Sequence, residues 1–190
     1  MAGGLILVAM KVFMTGLTSL IVMLVCLAFL TGCDSKQLIK IGDTPPEISG
    51  NDIHGDNVSL SKLKGKMVVI YFWKNSCCGD SVKKLEPFYR ENKDRGMAVL
   101  AVNAGDTKEV VESYAKNNAV TFTVLADEDS KLFKRYQCIG YPTIFILDKN
   151  GIVREKIHGD ILAEQLRKLV VKQFNIQKSV EAAYEKIHSR

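Results

Sequence analysis

The strongest constraint in this sequence is an unbroken apolar run, Met67-Val68-Val69-Ile70-Tyr71-Phe72-Trp73, rich in β-branched and aromatic side chains. A strand with one wet face alternates polar and apolar residues, and this run does not. It therefore predicts a strand covered on both faces, the centre of an α/β sheet. The run ends at Asn75-Ser76, and Cys77-Cys78-Gly79-Asp80 follows at once. Beyond it, Val82, Leu85, Phe88 and Tyr89 recur at spacings of three and four, the pattern of an amphipathic helix. Cys77 is thus expected where a buried strand turns into a helix. Unpaired backbone N–H groups at such a point favour a thiolate, lowering a cysteine pKa from roughly 8.5 into the range of about 3.5–7.5.

The flanking sequence alternates strand and helix signals, as a partly parallel sheet requires. Residues 42–66 are rich in turn formers (Pro45-Pro46, Gly50-Asn51, His54-Gly55-Asp56), with short strand candidates at Glu47–Ser49 and Val58–Leu60 forming an edge hairpin. Met97–Val102 reads as a second buried strand, and Gly105-Asp106-Thr107 as the N-cap of a helix ending near Asn118. Phe122–Leu125 is a short strand, and Asp127–Asp129 caps a short helix reaching Tyr136. Thr143–Leu147 and Ile152–Ile157 flank Lys149-Asn150-Gly151, a hairpin with an Asn-Gly turn. A closing helix spans Ile161–Phe174, and Ile176, Val180, Ala183, Tyr184 and Ile187 mark a further amphipathic stretch expected to dock on the body.

The strand–turn–cysteine–helix layout resembles the thioredoxin-like superfamily, and within it the TlpA/ResA-like branch. Phe72-Trp73 followed by Cys77 is similar to that branch's FW…WCxxC signature, and Leu60 to Lys66, Ala101-Val102-Asn103, Gly140-Tyr141-Pro142-Thr143 and Asp148 to Gly151 extend the likeness over residues 42–171. The resemblance implies an α/β thioredoxin-like fold: a central mixed sheet flanked by helices, with an N-terminal β-hairpin extension and an extra C-terminal helix. It also implies a cis proline at Pro142 facing Cys77. Lacking an N–H, that proline leaves backbone beside it open to an extended substrate, with Trp73, Tyr141 and Thr143 around it.

The sequence departs from the family pattern at the active site. Ser76 stands where the family has tryptophan, Asp80 where it has the second cysteine, and Lys83 where many ResA-like members have glutamate. A Cys77–Cys78 bridge would be strained, since adjacent Cα atoms lie about 3.80 Å apart and disulfides favour about 4.4–6.8 Å. Cys78 then either resolves a mixed disulfide after local rearrangement or lies on the solvent side of the helix. Asp80 is a candidate proton acceptor. Cys138 is a candidate resolving thiol across the Pro142 loop, or a small apolar residue of the core.

The N-terminal stretch Val12–Leu30 is almost wholly apolar behind Lys11, and Leu30-Thr31-Gly32-Cys33 closes it. This resembles a bacterial lipoprotein signal with its lipobox; the competing reading is an uncleaved transmembrane anchor. The expected organisation is a signal peptide over 1–32, a lipidated tether over 33–41 beginning at Cys33, a thioredoxin-like domain over 42–174 and an amphipathic helical extension over 175–190. The protein is expected on the extracytoplasmic face of a bacterial membrane, in the periplasm of a Gram-negative host. Of five cysteines, Cys26 leaves with the signal and Cys33 takes lipid. Cys77, Cys78 and Cys138 remain, an odd number that leaves one thiol reactive or paired outside the chain.

A net charge of +5, scattered and without a basic stripe, gives no reason to expect nucleic acid. Thiolates suit Cu(I), and copper-delivery relatives share the fold. They carry CxxxC and a distal histidine, however, while His54, His158 and His188 show no ligand spacing; neither metal nor cofactor is expected. Three functions stay open. The first is a membrane-tethered, monomeric thiol–disulfide oxidoreductase acting on protein thiols and disulfides through Cys77. The second is a peroxiredoxin-like peroxidase, against which Ile70 and Lys74 stand where Pxxx[ST]xxC needs Pro and Thr or Ser. The third is a redox-inactive binding module keeping the groove beside Pro142.

Overall fold

The computed structural model describes residues 38–189, so the expected signal peptide, Cys33 and most of the tether lie outside the described residues. The apolar run forms strand β3, Met67–Trp73, buried at every position. It is the middle strand of a five-stranded sheet completed by β4 (Met97–Ala104), β5 (Thr123–Asp127), β6 (Thr143–Leu147) and β7 (Val153–His158) in the order β5-β4-β3-β6-β7. β3 pairs parallel with β4 and antiparallel with β6, and the sheet is mixed as expected. Strand alternation splits the apolar run between two core layers. Met67, Val69, Tyr71 and Trp73 pack with helical residues Val82, Phe88, Val111, Tyr114, Leu166 and Val170. Val68, Ile70 and Phe72 face the other layer, with Ile48, Tyr136 and Phe145.

Helices α1 (Asn75–Lys83), α2 (Leu85–Asn92) and α3 (Lys108–Asn117) carry the two parallel crossovers, and α4 (Lys131–Arg135) precedes the return to β6. α1 and α2 separate at Lys84. Pro87 has no N–H for the Lys83 carbonyl four residues back, which ends the first helix there. The chain reverses its direction across the sheet between β4 and β6, on either side of β3. The carboxyl end of β3 is therefore the topological switch point, where open α/β sheets place their sites. Because β6 runs antiparallel, its first residue Thr143 lies beside Phe72, bringing the Pro142 loop to the same end.

The N-terminal hairpin is present but displaced: β1 is Ser49–Asn51 and β2 is Asn57–Ser59. Ile48 and Leu60 are drawn into the core instead of pairing as strand residues, joined by Leu60 N–H to the Ile48 carbonyl at 2.9 Å. The Asp52 carboxylate closes the turn by accepting the His54 and Asp56 N–H groups at 2.8 and 2.9 Å. At the other end, one helix, α5, runs unbroken from Ala163 to His188, with no pause at 174/175. Phe174 to Lys178 contains no glycine or proline to stop it. Only its first half is docked, through Leu166, Val170 and Gln173. Ile176, Val180, Tyr184 and Ile187 are exposed, and the described tie of that half to the body is Glu181 with Lys149 at 2.6 Å. The expected docking of the extension thus does not reach the core. Among the described residues no helix is long and apolar enough to cross a membrane.

Candidate active site

Lys74 leaves β3 in an extended conformation (φ −136°, ψ 141°), and α1 begins at Asn75 without a capping side chain of its own. The cap comes from the β4–α3 loop. Asp106 accepts the Asn75 N–H at 2.8 Å and the Asn103 amide at 2.9 Å, and its own N–H donates to Asn103 Oδ1 at 3.2 Å. Sequence reasoning gave the Gly105–Thr107 segment to the following helix alone. There, Lys108 N–H finds Glu128 at 2.9 Å, while Asp106 serves α1. The signal was an acidic residue just past a buried strand, but its partner lies 31 positions upstream.

This cap fixes the rotation of α1, and with it the two sulfurs. Cys77 is exposed and Cys78 is buried, only 3% accessible, beneath it. The expectation of a solvent-side Cys78 is therefore corrected: one residue is a turn of about 100° on a helix of 3.6 residues per turn, and that step points Cys78 at the β3 layer. The Cys77 and Cys78 sulfurs lie 2.8 Å apart, and Cys77 Sγ is 3.6 Å from the Lys74 carbonyl. Burial, then the hydrogen bond toward Cys77, pushes the Cys78 thiol up to about 12. Cys78 stays protonated at neutral pH and can donate to its neighbour's sulfur.

Gly79 lets α1 sit down on α3. A Cβ there would stand 2.9 Å from Asn75 Oδ1, closer than a side chain tolerates without a shift, and in tight contact with the Tyr114 ring at 3.2 Å. Tyr114 donates its hydroxyl to the Gly79 carbonyl, and its ring meets Trp73 with centroids 4.6 Å apart. Trp73 is 0% exposed, so it supports the site from below and cannot touch a docked chain. Thr143 is likewise buried, its hydroxyl donating to the Gly140 carbonyl at 2.8 Å; it braces the proline loop. Asp80 stands on the outer face, paired with Lys83 at 2.6 Å, and that ammonium holds its carboxyl below the usual range. A carboxylate held in its ionised form this way is a poor proton acceptor, and Lys83 is correspondingly engaged.

The Tyr141–Pro142 bond is cis, and the buried Pro142 accepts the Gly159 N–H at 2.9 Å. Half-buried Tyr141 donates to the Ala104 carbonyl at 3.1 Å and packs on Phe133, ring centroids 4.5 Å apart. Its phenol is raised first by burial, and negative charge on Cys77 also contributes. Tyr141 therefore lies within electrostatic reach of Cys77. Ile139, 81% exposed, adds an apolar residue beside the loop that sequence reasoning missed. Cys138 is half-buried and packs against the opposite core layer from Cys78, with Phe72, Tyr136 and Phe145. Burial pushes its thiol up to about 12 as well. All three described cysteines are free.

One further group approaches Cys78. Ser81 on α1 donates to Asp160, in the loop before α5, at 2.9 Å. The Asp160 charge adds to the raising of both the Cys78 thiol and the buried Tyr71 phenol behind it, after burial. Nothing in the local sequence marks Asp160, which reaches α1 only through the fold.

A family model described as AhpC/TSA family matches residues 41–156. The chain is 32% identical over 133 residues to the thiol-disulfide oxidoreductase ResA of Bacillus cereus, covering 69% of this chain and 77% of that one. Among solved structures, StoA of Bacillus subtilis superposes with a TM-score of 0.57 at 28% identity, covering 65% of this chain and 96% of that one. The thioredoxin domain of a thiol-disulfide oxidoreductase from Bacteroides vulgatus does so with a TM-score of 0.63 at 25% identity, covering 70% and 97%. A switch-point cysteine on a helix N-terminus, a cis-proline loop at the same end of the sheet and these likenesses agree: the chain belongs to the AhpC/TSA family, has the thioredoxin-like fold and is homologous to the ResA thiol-disulfide oxidoreductases.

Proposed function

We propose that this protein is a membrane-tethered, extracytoplasmic thiol–disulfide oxidoreductase acting on protein substrates through Cys77. The observation that carries the reading is the exposed Cys77 on the first turn of α1, at the end of β3 where the cis-Pro142 loop also lies. The Cys77 thiolate attacks one sulfur of a partner disulfide in line with the bond. The S–S bond breaks, the other partner sulfur leaves as a thiolate, and a mixed disulfide remains on Cys77. Exposed Ile139 and half-buried Tyr141 offer apolar contact to the docked chain, while Trp73 and Thr143 hold the floor. Tethering is supported by the lipobox-like Leu30-Thr31-Gly32-Cys33. A monomer suffices for this chemistry.

The direct test is reduction of insulin disulfides by dithiothreitol in the presence of the protein. Catalysis by the wild type and none by Cys77→Ser is expected; equal rates for the two overturn the reading. Radiolabelled palmitate incorporated by the wild type and not by Cys33→Ala tests the anchor. A redox-inactive binding module is favoured by one observation, Asp80 in the second cysteine's place and already paired with Lys83. It predicts peptide binding beside Pro142 that survives Cys77→Ser.

A further inference from the structure

In a CxxC site the thiol that releases the mixed disulfide sits one helical turn after the attacking one; here that position is Asp80, exposed and held by Lys83. Exchange still needs a second sulfur, and the described chain offers two. Cys138 packs against the core layer on the far side of the sheet from α1. Cys78 lies in the α1 layer with its sulfur 2.8 Å from that of Cys77, inside the distance at which two sulfurs merely touch. We propose that Cys78 is the resolving thiol, and that the redox couple of this protein is the adjacent pair, closing as a Cys77–Cys78 disulfide. This rests on the reading that Cys77 forms mixed disulfides with its substrates.

The chemistry balances without further reagents. Reduced protein and a partner disulfide first give the Cys77 mixed disulfide and one partner thiol. Cys78 sulfur then attacks Cys77 Sγ. The Cys77–partner bond breaks, the second partner sulfur leaves as a thiolate, and it takes up the proton Cys78 gives away. The partner disulfide has been reduced to two thiols, and the protein dithiol oxidised to one adjacent bridge. A second dithiol, protein or small molecule, reopens the bridge by the same steps in reverse.

Burial around Cys78 fits this order of events. The thiol remains protonated while Cys77 is free, so the exposed sulfur attacks first and the buried one waits. Neighbouring residues bridge only with distortion, since their Cα atoms are closer than a relaxed disulfide allows. A distorted bridge is readily reopened, a useful property in an exchange catalyst. Cys78 sits on the first turn and a half of a short helix, where few intrahelical bonds must yield for the two sulfurs to join.

The test uses the full chain, reduced and then exposed to oxidised glutathione, acid-quenched, alkylated and digested with trypsin. Peptide Asn75–Lys83 carries both sulfurs and not Cys138. We expect it lighter by two hydrogens in the wild type, and carrying glutathione on Cys77 in Cys78→Ser. Persistent glutathione on Cys77 in the wild type, or a cross-link of this peptide to the one bearing Cys138, overturns the inference and leaves the proposed function standing. A peptide recovered fully alkylated, with neither adduct nor bridge, overturns the proposed function and the inference together. Circular dichroism of Cys78→Ser separates loss of resolution from loss of fold.

Discussion

Cys78 and Cys138 are alike in most physical respects and differ in one. Cys78 is buried and Cys138 half-buried, both have thiols pushed up to about 12 by burial, and neither is bridged. Yet Cys78 lies under the exposed sulfur of its neighbour, and Cys138 packs into the opposite layer with Phe72, Tyr136 and Phe145. Burial alone thus does not separate a working thiol from a structural one. Which side of the sheet a thiol occupies, and whether another sulfur is within reach, does.

The largest effect expected is at the partner both thiols would serve: Cys77→Ser should lower insulin reduction to the uncatalysed rate. Next comes the comparison itself. Cys78→Ser should accumulate mixed disulfides on Cys77 and slow turnover severely, whereas Cys138→Ser should turn over at nearly the wild-type rate. The reverse ranking would exchange their roles. Gly79→Ala tests the seat of the Cys78 layer, because the added methyl meets Tyr114 and Asn75. A loss of about 1–3 kcal/mol in urea unfolding is expected from such overpacking, without a matching loss for a change beside Cys138.

Alkaline stability probes what the two thiols share. Burial pushes each folded thiol up to about 12, well above an ordinary solvated cysteine, so between the two values the folded state keeps a proton the unfolded chain has released. Their contribution is whole below about pH 9 and is lost as pH rises through the folded value. Urea midpoints measured across that window should fall less steeply in Cys78→Ser and in Cys138→Ser than in the wild type. The smallest effect separates them again. Asp160 raises only the Cys78 side, so Asp160→Asn should move the pH profile of mixed-disulfide release slightly downward and leave alkylation of Cys138 unchanged.

Much of this architecture is legible in the sequence. The run Met67–Trp73 can only be a strand with two covered faces, and Lys149-Asn150-Gly151 forms the β6–β7 turn. The position of Cys77 follows from that strand and the helical spacing after it. The depth of Cys78 does not, because it depends on where α1 starts, and Asp106 sets that start from another loop. Trp73 and Thr143 fit a docking surface by position, but pleat and packing turn both inward. The break expected after Phe174 rested on a change of role along the segment, while helix continuity depends on the local absence of glycine and proline.

The carboxylate of Asp106 grips both Asn103 and the first residue of α1. An allele altered at either acid or amide would leave every cysteine in place and still misaim the sulfurs. A search for loss-of-function strains should thus return lesions in this quiet loop that mimic a missing thiol, and a second-site change restoring an acceptor there should cure them.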